Sequence, residues 1–419
     1  MAQPVPVTAG QRLETLDVLR GFALLGILAM NIRAMAAPFS AYMNPTVLFP
    51  YEGVSRAAYV FTSVVFDLKM MGLFSMLFGA GVLLYAAKPT EAVRVARGLW
   101  FRRMFWLLVI GLVHAYLIWD GDILVPYALT GLILLWWVRR LPAPALFAMA
   151  ATWLVIGGAL GLGMGAMFDS MPADEKAEAM AMWAPTPEQV QEQVAALRGS
   201  YPEVVAHRAS FVAMGQTMYY ALFFFWRVGG MMMLGMALLK WGFLDGRLPA
   251  SRYAAVAAFC VPLGLGLAWV GINAVELVNF NMPDRSVPDL WNYYGAVFAS
   301  VGYAAAFIYL IKKGLLGGLR RRLAAVGQMA FSNYLMQSIV TSILFLGWGF
   351  NLAGRFDYAA QLLIVLAIWL VQLIISPIWL QHFRFGPAEW LWRSLTYWKR
   401  QPMRKSAETT EPAAVAGTV

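Results

Sequence analysis

Residues 99–124 read LWFRRMFWLLVIGLVHAYLIWDGDIL. From Leu99 to Trp119 the run is apolar and long enough to cross a bilayer, whose hydrocarbon core of roughly 30 Å takes about 20 residues of helix. Asp120, Gly121 and Asp122 interrupt it, and a second, shorter apolar run follows at once from Ile123 to Val138. A turn this short predicts an antiparallel helical hairpin, with two carboxylates at its tip and Gly121 permitting the backbone reversal.

The same pattern extends outward in both directions. Before the hairpin lie apolar runs from Leu16 to Met35 and from Ala58 to Ala86. After it come Ala145 to Met167, Ser210 to Leu239, Tyr253 to Val278, Tyr293 to Ile311, Val326 to Trp348 and Ala359 to Leu380. Hydrophobic residues make up 61% of the 419 and charged ones 13%, with mean hydropathy +0.63. Soluble domains carry roughly 25% charged residues. The expected fold class is therefore all-α, a polytopic transmembrane helix bundle of about ten spans occupying residues 1–383.

The net charge of +10 does not point to nucleic acid, because basic residues of a membrane chain belong first to its cytoplasmic loops. Lys88, Arg94, Arg97, Arg102 and Arg103 follow the second run, and Arg139 and Arg140 the fourth. Lys240, Arg247 and Arg252 follow the sixth, and Lys312, Lys313 and Arg320 to Arg322 the eighth. All fall on one side, which predicts that both termini are cytoplasmic. Met1 to Gln11 lacks the basic start of a secretory leader, so the first run is expected to be an uncleaved anchor. Residues 170–208, with Glu175, Glu178, Glu188 and Glu192 among Ala, Met and Val, form the sizeable external insertion. They are expected to be amphipathic helices on the membrane surface or over a cavity, or else a solvated connector. Residues 384–419 are expected to be a cytoplasmic interfacial segment, aromatic and basic from Phe385 to Arg393, and a disordered tail from Ser406. The lone Cys260 permits no intrachain disulfide and hints at no thiol metal site; it is expected in the core.

Ionisable side chains inside the apolar runs need a partner or a purpose. His114 lies inside the third run near its external end, where it could meet water and serve as a general base, its ordinary pKa being about 6.5. A lone histidine in a helix bundle is more often a hydrogen-bonded packing residue. Asp122 can cap the next helix, and with Asp120 it offers a carboxylate beside that histidine. Asp67 and Lys69, two apart, fall on different faces of one helix, so Asp67 is the expected partner of Arg227, with Asp120 or Glu276 as alternatives. Such a pair either fixes packing or clamps an anionic group. Asp17 and Arg20, three apart, can pair on one face. Gln328, Ser332, Asn333 and Gln337 can bond across helices or line a polar cavity.

Four stretches carry a resemblance: Arg12-Leu-Glu-Thr-Leu-Asp17-Val-Leu-Arg20-Gly21 through Asn31; His114 through Trp119-Asp120-Gly121-Asp122-Ile-Leu; Gly327-Gln-Met-Ala-Phe-Ser-Asn333-Tyr-Leu-Met-Gln337; and Gly386-Pro-Ala-Glu-Trp-Leu-Trp-Arg393. In these the chain resembles the YeiB-like bacterial membrane proteins, classed under a domain of unknown function. Its opening, Leu16, Asp17, Arg20 and Gly21, is also similar to that of the transmembrane acyltransferases. Those enzymes carry a histidine further along. Here Asn31 stands at the position the O-acyltransferases use, and the region the N-acetyltransferases use reads Ala41-Tyr42-Met43.

The resemblance implies an inner-membrane protein of bacteria and an acyltransferase-like activity, passing an acyl group from a cytoplasmic thioester such as acyl-CoA to an external lipid or glycan acceptor. On that reading His114 deprotonates the acceptor, Asn31 and Asn333 polarise the carbonyl, Arg20 contacts the donor, and Arg227 with Asp67 shapes the cavity. The departure at Asn31 leaves two alternatives open. A transporter or lipid flippase would use the buried charges as a pathway, and a scaffold would leave them paired and dry. The readings with an activity expect the ionisable groups to gather round one hollow.

Overall fold

The structure is a computed structural model describing residues 14–86 and 93–405. Within them the chain is helical, with one isolated bridge between Phe383 and Arg404 in place of any strand. The expected tail from Ser406, the segment Met1 to Gln11 and Lys88 lie outside the described residues.

The first helix, α1 (Glu14–Ala36), is the post around which the bundle packs, 72% of its apolar window being buried. A short α2 (Phe39–Met43) follows. The second passage, predicted as one span from Ala58 to Ala86, is two helices, α3 (Gly53–Val65) and α4 (Lys69–Ala86). They are parted where Leu68 adopts φ 57°, a left-handed conformation that cannot continue a helix. The hairpin forms as expected: α5 (Val93–Val113) runs into a π turn at His114–Ile118, and α6 (Leu124–Thr130) returns through a π segment at Gly131–Leu135 into α7 (Trp136–Val138). Gly121 lies outside the left-handed region; what it supplies is room, since a Cβ there would meet the Trp119 ring at 2.2 Å.

Next come α8 (Ala143–Asp169), then α9 (Ala173–Trp183) and α10 (Pro187–Leu197) of the insertion. After these, α11 (Tyr201–Met214) passes through a π segment, Gly215–Phe224, into α12 (Phe225–Lys240). The lipid-facing α13 (Ala250–Leu277), 17% buried over its apolar window, pairs with α14 (Ser286–Lys312), and Cys260 on it is half-buried. The chain closes with α15 (Gly317–Gln328), α16 (Ala330–Phe345), α17 (Tyr358–His382) and α18 (Pro387–Tyr397).

Among the described residues, eight helices are long and apolar enough to cross a membrane. The two remaining predicted spans are shorter: Leu124–Val138 is one, and Met329 divides the other between α15 and α16. A helix without side chains at the crossing point brings two backbones together, and α1 meets α15 that way. A Cβ on Gly21 would lie 2.0 Å from the Leu323 carbonyl oxygen, and one on Gly327 would lie 1.9 Å from that of Asp17.

The insertion is tied to the bundle, with Glu175, Glu178, Glu188 and Glu192 exposed. Ser40 Oγ donates to Gln193 Oε1 at 2.6 Å, Arg198 donates to the Ala353 carbonyl at 2.6 and 3.1 Å, and Trp183 Nε1 donates to the Phe280 carbonyl at 2.8 Å. Together α9 and α10 cover the loops at the end of the bundle that holds the 345–355 turn. At the opposite end α18 docks on α5: Trp392 Nε1 donates to the Arg103 carbonyl at 2.8 Å, and the Arg103 guanidinium lies 3.6 Å from the Trp392 ring.

Candidate functional site

The polar side chains form two centres. The first stands at the hairpin tip. The π turn at His114–Ile118 widens the helix at its end, where the last carbonyls have no partner within the helix. Those carbonyls find outside partners: Leu117 accepts from Tyr201 Oη at 2.8 Å, and Ile118 accepts from Arg208 Nη1 at 2.9 Å and Ser342 Oγ at 3.1 Å. The turn brings His114 over Asp122, with Nδ1 and Oδ1 2.7 Å apart and side chains 0% and 2% exposed. The other carboxylate oxygen accepts from the Val125 amide at 2.7 Å, so Asp122 caps α6 and holds the imidazole at once. His114 Nε2 is buried and has no hydrogen-bond partner. With a proton on Nδ1 facing the carboxylate, Nε2 carries the lone pair of a base. The expectation of water contact is corrected, because His114 is sealed beside the rings of Tyr334, 5.1 Å away, and Trp119, 6.4 Å away. Asp120 does not reach the imidazole; it stands 3.8 Å from Arg208 Nε.

The second centre surrounds the break between α3 and α4. Asp67 Oδ2 accepts from Asn292 Nδ2 at 2.7 Å, and the Asn292 oxygen accepts from the Lys69 ammonium, which also donates to the Ser63 carbonyl at 3.0 Å. The Val65 carbonyl, left without a partner at the end of α3, accepts from Tyr303 Oη of α14 at 2.9 Å, and Ser300 Oγ donates to the Lys69 carbonyl at 2.8 Å. The predicted pairing of Arg227 fails. Its Nη1 donates to the Tyr293 carbonyl at 2.8 Å, its guanidinium lies 4.5 Å from the Tyr293 ring, and Nε and Nη2 have no partner. The break directs Asp67 to Asn292, Glu276 is held by Arg56 at 2.7 Å and by Tyr51 at 2.6 Å, and Asp120 belongs to the hairpin. Among the described residues no hydrogen bond or ion pair links the two centres.

The other predicted residues have structural engagements. Asp17 and Arg20 pair at 2.7 Å as expected. The amide of Asn333 donates to the Val326 carbonyl at 3.2 Å and Ser376 Oγ at 3.0 Å, which leaves it no proton for a substrate carbonyl. Gln337 donates to Gln372 Oε1 at 3.0 Å, and Gln372 donates to the Asn333 carbonyl at 3.0 Å, so these amides join α16 to α17. Asn31 is half-buried on α1, and among the described residues no hydrogen bond engages its amide. The sequence reading missed Asn292 and Tyr293, which look like ordinary residues at the start of a span. It also missed Glu389, whose carboxylate accepts from the Phe331 amide at 2.7 Å, the Ser332 amide at 3.1 Å and the Ser332 hydroxyl, and so caps α16 from α18. Burial pushes the Glu389 carboxyl above its ordinary value, against the pull of those donors.

An all-helical chain with eight membrane-length apolar helices and polar groups sealed among them is a multi-pass membrane protein. Comparison with known proteins places it further. It is 31% identical to the uncharacterized protein YeiB of Escherichia coli K12, over 92% of this chain and 96% of that one. It is 31% identical to the uncharacterized protein YxaH of Bacillus subtilis 168, over 97% and 100%, and 26% identical to an uncharacterized 39.9 kDa protein of Bacillus acidopullulyticus, over 96% and 99%. Residues 238–399 match the model of a protein family of unknown function, DUF418. The chain belongs to this YeiB-like family. The matched segment includes Asn292, Tyr293, Asn333 and Glu389, whereas His114 and Asp122 precede it.

Proposed function

We propose that the chain is an acyl-transferring membrane enzyme whose base is His114, oriented by Asp122, in the bacterial inner membrane with both termini cytoplasmic. The observation carrying this reading is the buried 2.7 Å contact between Nδ1 and the carboxylate, with Nε2 left unpartnered. In the proposed step the proton of an acceptor hydroxyl or amine passes to Nε2 while the acceptor atom adds to the carbonyl carbon of a thioester such as acyl-CoA. The carbon–sulfur bond then breaks, and the departing thiolate takes the proton back from the imidazolium, leaving an ester or amide and a free thiol. The unengaged amide of Asn31 is the donor proposed for the carbonyl oxygen. Entry of an acceptor requires Trp119 or Tyr334 to move aside. General-base catalysis contributes about 10²- to 10⁴-fold, so His114→Ala should lose transfer by that factor when purified protein in lipid is supplied with labelled acyl thioester and a mixed lipid and glycan acceptor pool. Absence of labelled product from the wild type, or an unchanged rate in His114→Ala, overturns the proposal.

A transporter is the second reading, and the broken passage through α3 and α4 supports it, since discontinuous membrane helices place free backbone ends and charges at substrate sites. The readings part on the product. A transporter returns its substrate unmodified and responds to a proton gradient.

A further inference from the structure

The second centre holds more positive charge than its own carboxylate can offset. Arg33 is 4% exposed, and Lys69 and Arg227 are 0% exposed. Arg33 lies on α1, where its Nη1 donates to Ser63 Oγ at 3.1 Å and its Nη2 to the Tyr59 carbonyl at 2.6 Å and to Thr62 Oγ1. The Ser63 carbonyl accepts from Lys69, the Lys69 ammonium reaches Asn292, and the carbonyl of the next residue, Tyr293, accepts from Arg227. The three cations are thus strung along one polar line, and the carboxylate on that line is Asp67. The neighbouring acids are spent elsewhere: Glu276 on Arg56, and Asp289 on Arg285 at 2.8 Å. Removing an ion from water costs several kcal/mol unless an opposite charge meets it.

Two further features point to a ligand. The Arg227 Nε and Nη2 atoms, Tyr293 Oη and Gln361 Oε1 are buried polar atoms without partners. A small cleft of about 10 Å³ opens between α1, α3 and α17, lined by Ala29, Ile32, Arg33, Thr62, Tyr358, Gln361 and Leu362. It therefore has a cation and an unsatisfied acceptor on its wall. Its volume is room for about one water, so a compact headgroup enters only as the lining side chains move aside.

We propose that this centre binds a phosphate-type oxyanion, entering at Arg33 and drawn toward Lys69 and Arg227, with a ligand hydroxyl donating to Gln361 Oε1. Three cations against one carboxylate leave a deficit that a phosphate group, carrying up to two negative charges, removes. The proposal does not depend on the acyl-transfer reading, because none of its residues touches His114.

The test uses the purified full chain in neutral detergent, with inorganic phosphate, phosphatidic acid and phosphatidylcholine as probes, read by thermal melting and native mass spectrometry. Wild type should be stabilised saturably by phosphate, by phosphatidic acid or by both, and not by phosphatidylcholine. Stabilisation by phosphate identifies a free ion as sufficient, whereas stabilisation by phosphatidic acid alone identifies a lipid headgroup. Arg33→Gln should weaken the effect about tenfold, equivalent to about 1.4 kcal/mol, its melting without probe serving as the folding control because Arg33 also donates to Ser63, Thr62 and the Tyr59 carbonyl. Arg33→Lys, which keeps the charge, should retain binding within a few-fold and serves if the glutamine variant does not fold. A wild type indifferent to phosphate and phosphatidic acid alike overturns the proposal, as does unchanged binding in Arg33→Gln.

Discussion

Asp122 makes two hydrogen bonds with different oxygens, and two substitutions separate them. In Asp122→Ala the Val125 amide loses its cap, worth about 1 kcal/mol, and His114 Nδ1–H is left buried and unpaired, costing about 1–3 kcal/mol. The sum is about 2–4 kcal/mol. Asp122→Asn has one oxygen and one NH₂ group. If the oxygen keeps the Val125 amide, the NH₂ group faces Nδ1, and the imidazole can satisfy it by moving its own proton to Nε2. The asparagine variant should then lose less than about 1 kcal/mol of stability yet present Nε2 as a donor, which cannot act as a base. Thermal melting in detergent supplies the first quantity, and nitrogen chemical shifts of labelled histidine supply the tautomer. Equal destabilisation by Ala and Asn, or an Asn variant that keeps its proton on Nδ1, would refute the orienting role of Asp122.

Other predictions follow from the packing. Gly327→Leu should destabilise by at least the 1–3 kcal/mol typical of overpacking, because the new Cβ falls 1.9 Å from the Asp17 carbonyl oxygen. Gly81→Ala, with nothing within 4 Å, should instead gain about 0.5–1 kcal/mol; melting of the two variants in detergent checks both. Removing the Arg208 guanidinium takes away a donor to the Ile118 carbonyl, so Arg208→Ala should raise amide exchange across residues 114–118 before it affects the rest of the bundle. Glu389 has a raised carboxyl pKa in the fold, so the folded state favours its protonated form. Its contribution is fully present below the ordinary glutamate value and lessens as pH rises through the raised one. Protease cleavage of the α18 segment should therefore increase with pH over that window in wild type and be flat in Glu389→Gln.

Hydropathy made the spans legible because burial in lipid needs only length and apolarity, and the hairpin at 99–138 could be read from a turn too short to permit anything else. Local backbone departures left no such trace. Nothing in Phe66-Asp-Leu-Lys69 signals that Leu68 will turn left-handed, yet that one residue leaves the Val65 carbonyl to Tyr303 and turns Asp67 toward Asn292. The inference that a buried arginine seeks the nearest buried carboxylate was sound electrostatics applied to the wrong geometry. Spacing likewise understated the hairpin tip, since His114 and Asp122, eight residues apart, meet through a π turn that regular helix geometry does not anticipate.

The residues bearing the family resemblance divide by what they touch. Gly21 and Gly327 let α1 and α15 meet, Asn333 and Gln337 hold α16 to α17, and Glu389 caps α16, so three of the four motifs include residues that account for the shape of the bundle. The hairpin motif is different. Asp122 would cap α6 whether or not a histidine lay beside it, so the helix end explains the carboxylate and leaves the imidazole unexplained. A buried base with one nitrogen oriented and the other unpartnered contributes nothing that an apolar side chain of similar size would not supply more cheaply. That imbalance between structural need and chemical equipment is why His114 carries the enzymatic proposal, and why the similar excess of charge at Arg33, Lys69 and Arg227 calls for a ligand of its own.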